Sequence, residues 1–447
     1  MDSTAKWTTG ALVVAAIIYG FSSGPKHLIE NLNGWELREQ FVFLTGVSSL
    51  SLMVLSMVIS IRVPWINHKM HGLDKAYVVH KWTGIFSTVL ILFHWLGEKV
   101  PEWLVQSGII PDPGELTDGS GFSDLEINLF QSGVVLVEWT FYVLIILVII
   151  ALVKKIPYRV FRKTHKVFPV VFLVVAYHGA TAQLKEHWLG TSAGYLLLLL
   201  VSLGVVSAII CLFQSIGRTR KFTATISDVN QNLHSVVDIQ LSTKKSFLHQ
   251  PGQYAFLRFA HDKEPHPFSI ASSGDDVYSL RFLVKPLGDF TKNLGNQIYI
   301  GQEVEIEGPY GEFFHLATQS EMAGRREIWI AGGIGITPFI SRLEKLANSG
   351  ATQQPIDFWY STRGDYNILF PDNLEHLCQQ AGVNLHHLNS VKKKHLTADM
   401  VFDSVGSFEN VSIWFCGPPA FAECLLKRLS VCNFDKRYFY YDNFNMR

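Results

Sequence analysis

The segment His80–His94 has the sequence HKWTGIFSTVLILFH, with one histidine at each end of an apolar stretch. Lys81 is the only charged residue between the two histidines. Apolar stretches of this kind usually cross bilayers, where a titratable side chain is costly and marks a function. We therefore expect both histidines to have a task inside a membrane.

Uncharged runs of this kind dominate the first half of the 447-residue chain. They cover residues 7–25, 40–61, 82–97, 139–153, 167–184 and 187–217. A helix needs about 20 apolar residues to cross the hydrocarbon core. The runs, the shorter ones extended past a flanking charge, predict a six-helix membrane domain over residues 1–217. The first run lacks a strongly basic leader and a clear cleavage site, so it is predicted to be a helix rather than a signal peptide.

Charged residues in the loops predict the orientation, because lysine and arginine are retained on the cytoplasmic side. The loop between predicted helices 4 and 5 carries six such cations and no acid, namely Lys154, Lys155, Arg159, Arg162, Lys163 and Lys166. The loop 97–126 carries seven acidic residues against one lysine. We predict that the acidic loop is external. Both termini are then cytoplasmic, in a plasma membrane or a bacterial inner membrane.

The composition argues against several function classes. The net charge is zero, which gives no sign of a nucleic-acid partner. The five cysteines form no CxxC pair, so neither a disulfide framework nor a zinc site is predicted. No CxxCH sequence for covalent haem attachment occurs.

A second histidine pair, His165 and His178, lies on predicted helix 5 in the sequence HKVFPVVFLVVAYH. At a rise of about 1.5 Å per residue, the first pair is separated by about 21 Å and the second by about 19.5 Å. Helices 3 and 5 both run outward, so His80 and His165 share an inner depth, and His94 and His178 share an outer one. Two layers of two imidazoles are what two haems with paired histidine ligands need.

The alternative is that each histidine is an interfacial residue, which is the commoner role for one histidine alone. Four at matching depths favour ligands. A spacing of 14 returns to within about 40° of the same helix face, but a spacing of 13 misses it by about 140°. Pro169 can kink helix 5 and offset part of this mismatch.

After Arg218 the sequence changes to short alternating strands, which predict a small antiparallel β-barrel over residues 218–320. HPFSIASS at 266–273 and VKPLGDFT at 284–291 follow, then GPYG at 308–311. A flavin needs a wall for its ring, a hydroxyl near its reactive nitrogen and donors for its pyrophosphate. Phe268, Ser269 and the turn at 288–291 can supply these, although each alone also fits a strand end or a turn.

Residues 321–447 alternate strands with helices and predict an α/β nucleotide-binding domain. EIWIAGGIGITPFI at 327–340 is a strand, a glycine turn and a helix start. Its glycines Gly332, Gly333 and Gly335 allow close backbone approach. Thr337 is predicted to cap the helix and Pro338 to take its first position, so that the helix N-terminus faces a phosphate. The pattern is not GxGxxG, so a Rossmann dehydrogenase is not predicted.

Two further turns follow strands in this domain. DFWYSTRGD places Arg363 just after a strand, where it can pair with a 2′-phosphate. VSIWFCGPPAF ends a strand at Cys416. That thiol is either a buried small apolar group or a wall beside a nicotinamide, and its place at a strand's C-terminal end favours the second reading.

In this order the motifs resemble the ferredoxin–NADP reductase module. With six preceding helices and paired histidines, the chain resembles the ferric reductase and NADPH oxidase superfamily from about residue 40 onward. The resemblance implies a multidomain membrane protein with a six-helix transmembrane bundle, an antiparallel β-barrel FAD domain and an α/β nucleotide-binding domain.

The resemblance also implies cofactor residues. The flavin-binding residues would be His266, Pro267, Phe268, Ser269, Gly288, Asp289, Phe290 and Thr291. The NADPH-binding residues would be Gly333, Gly335, Ile336, Thr337, Pro338, Arg363, Cys416, Gly417 and Pro418. Relatives often end on an aromatic residue that stacks on the flavin. Phe444 is the nearest match here, with Tyr441 as a competing candidate because three residues follow Phe444.

The implied function is a transmembrane electron relay. NADPH would reduce FAD, which would pass electrons to a haem at His80 and His165, then to a haem at His94 and His178, and so to an external acceptor. No catalytic side chain beyond the cofactors is implied. Where animal oxidase relatives carry a further histidine one turn beyond the outer ligand, this chain has Glu98. That acid favours a ferric species over oxygen, unless it only belongs to a solvated loop.

Three alternatives remain at this point. The chain could reduce oxygen to superoxide as an NADPH oxidase, or it could be a haem-bearing membrane subunit that serves a partner protein. A transporter with a nucleotide-sensing domain is the third. The lipid bilayer, NADPH and an external ferric species or oxygen are the predicted partners.

Overall fold

The computed structural model describes residues 3–30, 32–111, 123–185, 188, 190–213, 216–231, 236–260, 262, 264–315, 324–350, 355–363, 374–392 and 396–442. Two compact units divide the chain: residues 1–70 with 75–216, and residues 71–74 with 217–447.

The first unit is helical. Its helices are α1 Ser3–Gly20, α2 Gly24–Glu30, α3 Gly34–Ser60, α4 Pro64–Lys69, α5 Leu73–Gln106, α6 Asp124–Leu152, α7 Tyr158–His165, α8 Phe168–Lys185 and α9 Ser192–Leu212. Side-chain caps fix where several of them begin. Ser123 and Glu126 form a reciprocal capping box at α6, and the hydroxyl of Thr191 accepts a hydrogen bond from the backbone nitrogen of Gly194 at 3.2 Å.

The predicted helical membrane domain is confirmed, and each of the six uncharged runs falls on a helix. Among the described residues, α3, α5, α6 and α9 are long and apolar enough to cross a membrane. The pair α1 and α2, bent by 60° at a short break, makes a fifth candidate span. The number of six spans therefore stays a prediction.

Small residues let the helices of this unit pack closely. Gly204 of α9 lies against the ring of Phe172 on α8, where an added Cβ would come within 2.2 Å of the ring. Phe172 is fully buried, as are Ala15 on α1 and Ala193 on α9. Membrane helices associate mainly through this kind of close packing, because lipid offers no hydrophobic driving force between them.

The second unit begins with an antiparallel barrel. Its strands are β1 Lys221–Gln231, β2 Val237–Thr243, β3 Tyr254–Phe259, β4 His266–Ser269, β5 Ser279–Val284 and β6 Glu303–Tyr310, in the spatial order β4-β3-β6-β1-β2-β5. A bridge between Ile270 and Phe282 joins the two edges of the sheet and closes it. Two short helices, α10 Asp289–Lys292 and α11 Leu294–Gln297, follow β5. Alternate residues of β2, such as Ile239 and Leu241, fill the interior.

A parallel sheet follows the barrel. Its strands are β7 Arg326–Gly332, β8 Ile356–Thr362, β9 Val383–Asn389, β10 Val411–Cys416 and β11 Phe439–Tyr441, in the order β11-β10-β7-β8-β9. The helices α12 Thr337–Ser349, α13 Leu374–Ala381, α14 Ala398–Val405 and α15 Pro419–Val431 connect them. Apolar clusters cover both faces of the sheet, as parallel sheets require.

The strand order places a switch point between β7 and β10. The chain moves from β7 to β8 and β9 on one side, then returns to β10 on the other side of β7. In open parallel sheets, ligands bind at the carboxyl ends of the strands beside such a point. Gly332 and Cys416, the last residues of these two strands, both belong to predicted nucleotide-binding motifs. The predicted boundary between the barrel and this domain, at residue 320, lies outside the described residues.

Candidate functional site

The four predicted haem ligands meet in two pairs. The ring centroids are 5.9 Å apart for His80 and His165, and 6.3 Å apart for His94 and His178. Two nitrogen–metal bonds of about 2 Å and about 1 Å from each nitrogen to its ring centre give a separation of about 6 Å. Both layers therefore have the spacing that two imidazoles binding one metal ion would need.

His165 and His178 lie on two helices, where the sequence predicted one kinked helix. α7 ends at His165, and α8 begins at Phe168 with Pro169 as its second residue. The turn between them removes the phase mismatch of a 13-residue spacing, because the two histidines need not share one helix face. Proline in the first turn loses no hydrogen bond, so the helix restarts at Phe168 with no kink in its interior at Pro169.

Backbone carbonyls of α3 fix the protonation of the two histidines on α5. The Nδ1 atom of His80 lies 3.2 Å from the carbonyl oxygen of Ser56, and that of His94 lies 2.9 Å from the carbonyl oxygen of Val42. A carbonyl can only accept, so each Nδ1 carries the proton and donates it. The lone pair of Nε2 is then available to a metal, in the arrangement that metal-ligating histidines usually have.

The surroundings of the four rings suit an apolar macrocycle. The Nδ1 atoms of His165 and His178 are buried and have no hydrogen-bond partner among the described residues. Aromatic rings flank His165, with Phe161 at 5.1 Å and Phe168 at 4.8 Å between centroids. On α5, an added Cβ at Gly84 would meet nothing within 4 Å. Paired imidazole donors beside aromatic rings and an open glycine position fit haem iron.

The residue one turn beyond the outer pair is charged and paired. The carboxylate of Glu98 forms an ion pair with the guanidinium of Arg38 on α3, and Arg38 also donates to the carbonyl oxygen of Gly97 at 3.1 Å. The neighbouring Lys99 contacts Glu138 of α6 at 3.0 Å. The negative charge predicted to face the acceptor is therefore balanced by a cation that the sequence reasoning missed.

The two predicted flavin segments meet at one end of the barrel. His266 begins β4, and its ring stacks on Phe290 with the centroids 3.7 Å apart. The hydroxyl of Thr291 accepts from the backbone nitrogen of Gly288 at 3.1 Å and shapes the turn before α10. The residues Pro267, Phe268 and Ser269 complete β4 and are half-buried. The side chain of Asp289 and all of Phe444 lie outside the described residues.

The glycine turn of the nucleotide motif packs directly on the turn that follows β10. A Cβ at Gly335 would lie 2.2 Å from the carbonyl oxygen of Cys416 and 3.0 Å from the nitrogen of Gly417. A Cβ at Gly332 would lie 2.8 Å from Pro418. The structure thus brings both predicted motifs together at the switch point, with backbone against backbone.

Two predicted details of this turn are wrong. Thr337 does not cap α12, because its hydroxyl donates to the carbonyl oxygen of Ile334 at 2.8 Å instead. The residues Gly333–Ile336 form a 3-10 turn that carries the chain into the helix, so Ile336 occupies the cap position. Thr337 is then the first helical residue and Pro338 the second, not the first.

Cys416 and Arg363 have contrasting environments. Cys416 is 1% exposed, and burial, with a smaller effect of Asp442, raises the pKa of its thiol well above the ordinary value. A neutral buried thiol is inert, which suits a wall rather than a nucleophile. Arg363 follows the last residue of β8 and is exposed. The competing aromatic, Tyr441, is the last residue of β11 and is 41% exposed.

The sequence reasoning also missed Lys285. Its ammonium nitrogen lies 4.0 Å from the position that a Cβ of Gly333 would take, and Gly333 has a φ of +59°. No carboxylate of the described residues pairs with Lys285. An unpaired cation over a glycine turn favours a phosphate group. The signal was present in VKPLGDFT, where Lys285 is the only cation.

Three family models match successive parts of the chain. A ferric reductase like transmembrane component matches residues 45–176, an FAD-binding domain matches 218–313, and an oxidoreductase NAD-binding domain matches 329–427. The chain matches the ferric reductase and NADPH oxidase superfamily in the kind and order of these three domains. It therefore joins a helical membrane component to the FAD-binding and NAD-binding domains of an oxidoreductase.

Several known proteins are similar to about half of this chain. The propane 2-monooxygenase reductase component of Rhodococcus jostii is 27% identical over 212 residues, 44% of this chain and 55% of that protein. The probable respiratory burst oxidase homolog protein I of Arabidopsis thaliana is 28% identical over 222 residues, 44% of this chain and 22% of that protein. The chain spans 55% to 66% of the length of three propane 2-monooxygenase reductase components. The cytochrome P450 reductase GcoB of Amycolatopsis is similar at 23% identity and a TM-score of 0.44, covering 50% of this chain and 70% of that one.

Proposed function

We propose that this protein is a transmembrane oxidoreductase that moves electrons from cytoplasmic NADPH to an external one-electron acceptor. The observation that carries the proposal is the pair of histidine layers, each with the ring spacing that two imidazoles binding one iron would need. When bound, FAD would convert a two-electron hydride donor into single electrons, and two haems would carry those across a core about 30 Å thick.

The membrane helices would hold the haems in fixed register. His80 and His165 would ligate the inner iron, and His94 and His178 the outer one. α5 carries a ligand of each pair, separated by 14 residues of one continuous helix. A rigid helix keeps the distance between the layers constant, and the bonds from α3 carbonyls hold the imidazoles of His80 and His94 in the ligating tautomer.

The second unit would bind both nucleotides. β4 and the Gly288–Thr291 turn would hold the flavin, since the ring stacking of His266 on Phe290 fixes these two segments to each other. The glycine turn after β7 would take the pyrophosphate of NADPH at the start of α12, where backbone amides and the helix dipole favour anions. Cys416 would form an uncharged wall for the nicotinamide.

We propose a ferric species as the external acceptor. Arg38 and Glu98 place both charges at the outer end of α5, one turn from His94. A carboxylate and a guanidinium side by side present both signs of charge, which suits a charged ferric chelate. The likeness to respiratory burst oxidase homologs favours the alternative, in which oxygen is reduced to superoxide.

An acceptor assay separates the two alternatives. The purified full chain with NADPH should reduce a ferric chelate, and superoxide dismutase should leave this rate unchanged. Cytochrome c reduction that superoxide dismutase abolishes, without ferric-chelate reduction, would assign the chain to the oxidases. Haem that NADPH leaves oxidised in the isolated chain would favour a membrane subunit serving a partner protein.

Arg363→Ala should weaken NADPH binding selectively. Hydrogen bonds to a charged group contribute about 1.5–3 kcal/mol, which corresponds to about 10- to 100-fold in affinity. The KM for NADPH should rise by that factor, and the KM for NADH should change less than about twofold because NADH lacks the 2′-phosphate. Arg437→Ala removes an exposed arginine at the opposite end of the sheet and serves as the control. Equal effects on both nucleotides would contradict the assignment.

Lys285→Met should weaken the binding of NADPH and of NADH alike, because both contain the pyrophosphate that Lys285 would contact. We expect the KM for NADPH and for NADH to rise about tenfold each. Lys285→Arg keeps the charge and should restore most of the affinity. Steady-state rates with a soluble dye as acceptor give both KM values without requiring electron transfer through the membrane domain. An unchanged KM for both nucleotides would remove Lys285 from the site.

A further inference from the structure

Two side chains, one on β9 and one in the turn after it, hold the end of strand β8 in place. The Nε2 atom of His387 lies 2.9 Å from the hydroxyl oxygen of Thr362, the last residue of β8. The hydroxyl of Ser390 donates to the carbonyl oxygen of Thr362 at 2.9 Å. Thr362 is 3% exposed, so water cannot easily replace these bonds. Both the side chain and the backbone of Thr362 are therefore fixed from β9 and the turn after it.

These bonds come from the register of the two strands. In the parallel pairing of β8 with β9, Tyr360 lies opposite His387 and Thr362 lies opposite Asn389. Side chains alternate faces along a strand, so Tyr360, Thr362 and His387 share one face. The imidazole reaches diagonally across that face to the threonine, and its ring also packs near Tyr360 with centroids 5.9 Å apart. This contact therefore strengthens the pairing of β8 with β9 at the point where their backbone hydrogen bonds end.

Arg363 directly follows Thr362, so its backbone is attached to this fixed residue. It is the first residue after β8 and is exposed, at the carboxyl end of the sheet where nucleotides bind. An arginine side chain has about 2 kcal/mol of rotamer entropy to lose when it is immobilised. A fixed backbone origin limits the positions that its guanidinium samples, so less binding energy is lost when it pairs with a phosphate.

We propose that His387 and Ser390 are positioning residues for nucleotide selection. Through Thr362 they hold the backbone from which Arg363 reaches the 2′-phosphate, and they thereby set the preference for NADPH over NADH. This inference rests on the proposed role of Arg363. It assigns a function to a histidine that belongs neither to the haem layers nor to the flavin motif.

The test compares nucleotide selectivity in the full chain with a soluble dye as acceptor. The variants are His387→Phe, Thr362→Val and Ser390→Ala, and the readout is kcat/KM for NADPH divided by that for NADH. Each should lower this ratio by about three- to tenfold through the KM for NADPH, with kcat unchanged. His387→Gln retains a polar nitrogen and should restore most of the ratio.

Ser412→Ala is the matched control. Ser412 is a fully buried serine in the same sheet, near the amino end of β10, and its hydroxyl lies 3.5 Å from the carbonyl oxygen of Arg326. Ser412→Ala removes a serine hydroxyl that lies near a backbone carbonyl, as Ser390→Ala does, but far from the nucleotide end of the sheet. We expect its selectivity ratio to equal that of the unmodified chain. A shift equal to that of Ser390→Ala would show a general loss of sheet order and overturn the proposal.

A double-mutant cycle distinguishes this inference from the function on which it rests. If His387 acts through Arg363, then His387→Phe should not lower the ratio further in an Arg363→Ala chain. If Arg363→Ala lowers the ratio and His387→Phe does not, the positioning role is wrong and the role of Arg363 stands. If Arg363→Ala itself leaves the ratio unchanged, both fail. An additional loss from His387→Phe in the Arg363→Ala chain would also contradict the proposal.

Discussion

Replacing His178 with leucine should remove one of two haems and stop electron delivery to an external ferric chelate. The ring of His178 faces that of His94, and its Nδ1 atom has no partner among the described residues. Leucine would therefore delete the proposed metal ligand without breaking a hydrogen bond of its ring within the described residues. We expect the haem absorbance per FAD to fall by about half and ferric-chelate reduction to fall more than about 100-fold. Reduction of a soluble dye by NADPH should persist.

Tyr177→Phe is the control for this substitution. Tyr177 precedes His178 on α8, and its hydroxyl lies 2.8 Å from that of Ser132 on α6. Losing that contact perturbs the same helix pair and leaves all four imidazoles in place, so the haem content should not change. A His178→Leu chain with two haems and an undiminished ferric-chelate rate would show that His178 is not a ligand.

Gly335→Ala should abolish NADPH oxidation, because the glycine turn has no room for a side chain. The new Cβ would lie 2.2 Å from the carbonyl oxygen of Cys416 and 2.6 Å from its carbonyl carbon. Both are backbone atoms, so the turn after β7 and the turn after β10 would have to separate. The dye-linked rate with NADPH should fall more than about 100-fold, since shifts of about 1 Å at a site cost about that much.

Gly406→Asn provides the comparison. Gly406 ends α14 with a φ of +73°, and an added Cβ there meets nothing within 4 Å. Asparagine tolerates this backbone conformation, so activity should be retained. A thermal unfolding curve for each chain separates a local defect from a loss of the fold. Gly335→Ala with a normal KM for NADPH would mean that the two turns do not form the nucleotide site.

The layering of the histidines could be predicted from the sequence because depth in a membrane follows directly from helical rise. Position 80 relative to 94 fixes one separation, and position 165 relative to 178 fixes the other. The break between α7 and α8 could not be predicted in the same way. Pro169 permits either a kink inside a helix or a new helix start, and the packing of the surrounding helices decides between them.

Contacts between residues far apart in the sequence are the part of the site that the sequence did not predict. The pairing of Arg38 with Glu98 joins residues 60 positions apart, and a single sequence carries no sign of it. Lys285 belongs to the flavin motif by position but lies over the turn at Gly333, which belongs to the nucleotide motif. Local patterns predict the type of a segment well and its long-range neighbours poorly, because the latter depend on the tertiary fold.

The prediction for Thr337 failed for a local reason. Threonine before a helix usually caps it, and the sequence GITP matched that pattern. The residues Gly333–Ile336 form a 3-10 turn that leads directly into the helix, however, so Thr337 is the first helical residue and not the cap before it. The same glycine turn packs its backbone on the turn after β10 and forms the 3-10 turn before α12. The residue that precedes the helix is therefore Ile336 and not Thr337.

An anaerobic absorption spectrum of the purified full chain tests the central proposal most directly. We expect two haems for each FAD, as the two histidine layers require. NADPH should reduce both haems, and a ferric chelate added next should reoxidise them without oxygen. A chain without haem absorbance, or with haem that NADPH leaves oxidised, would contradict the proposed transfer of electrons across the membrane.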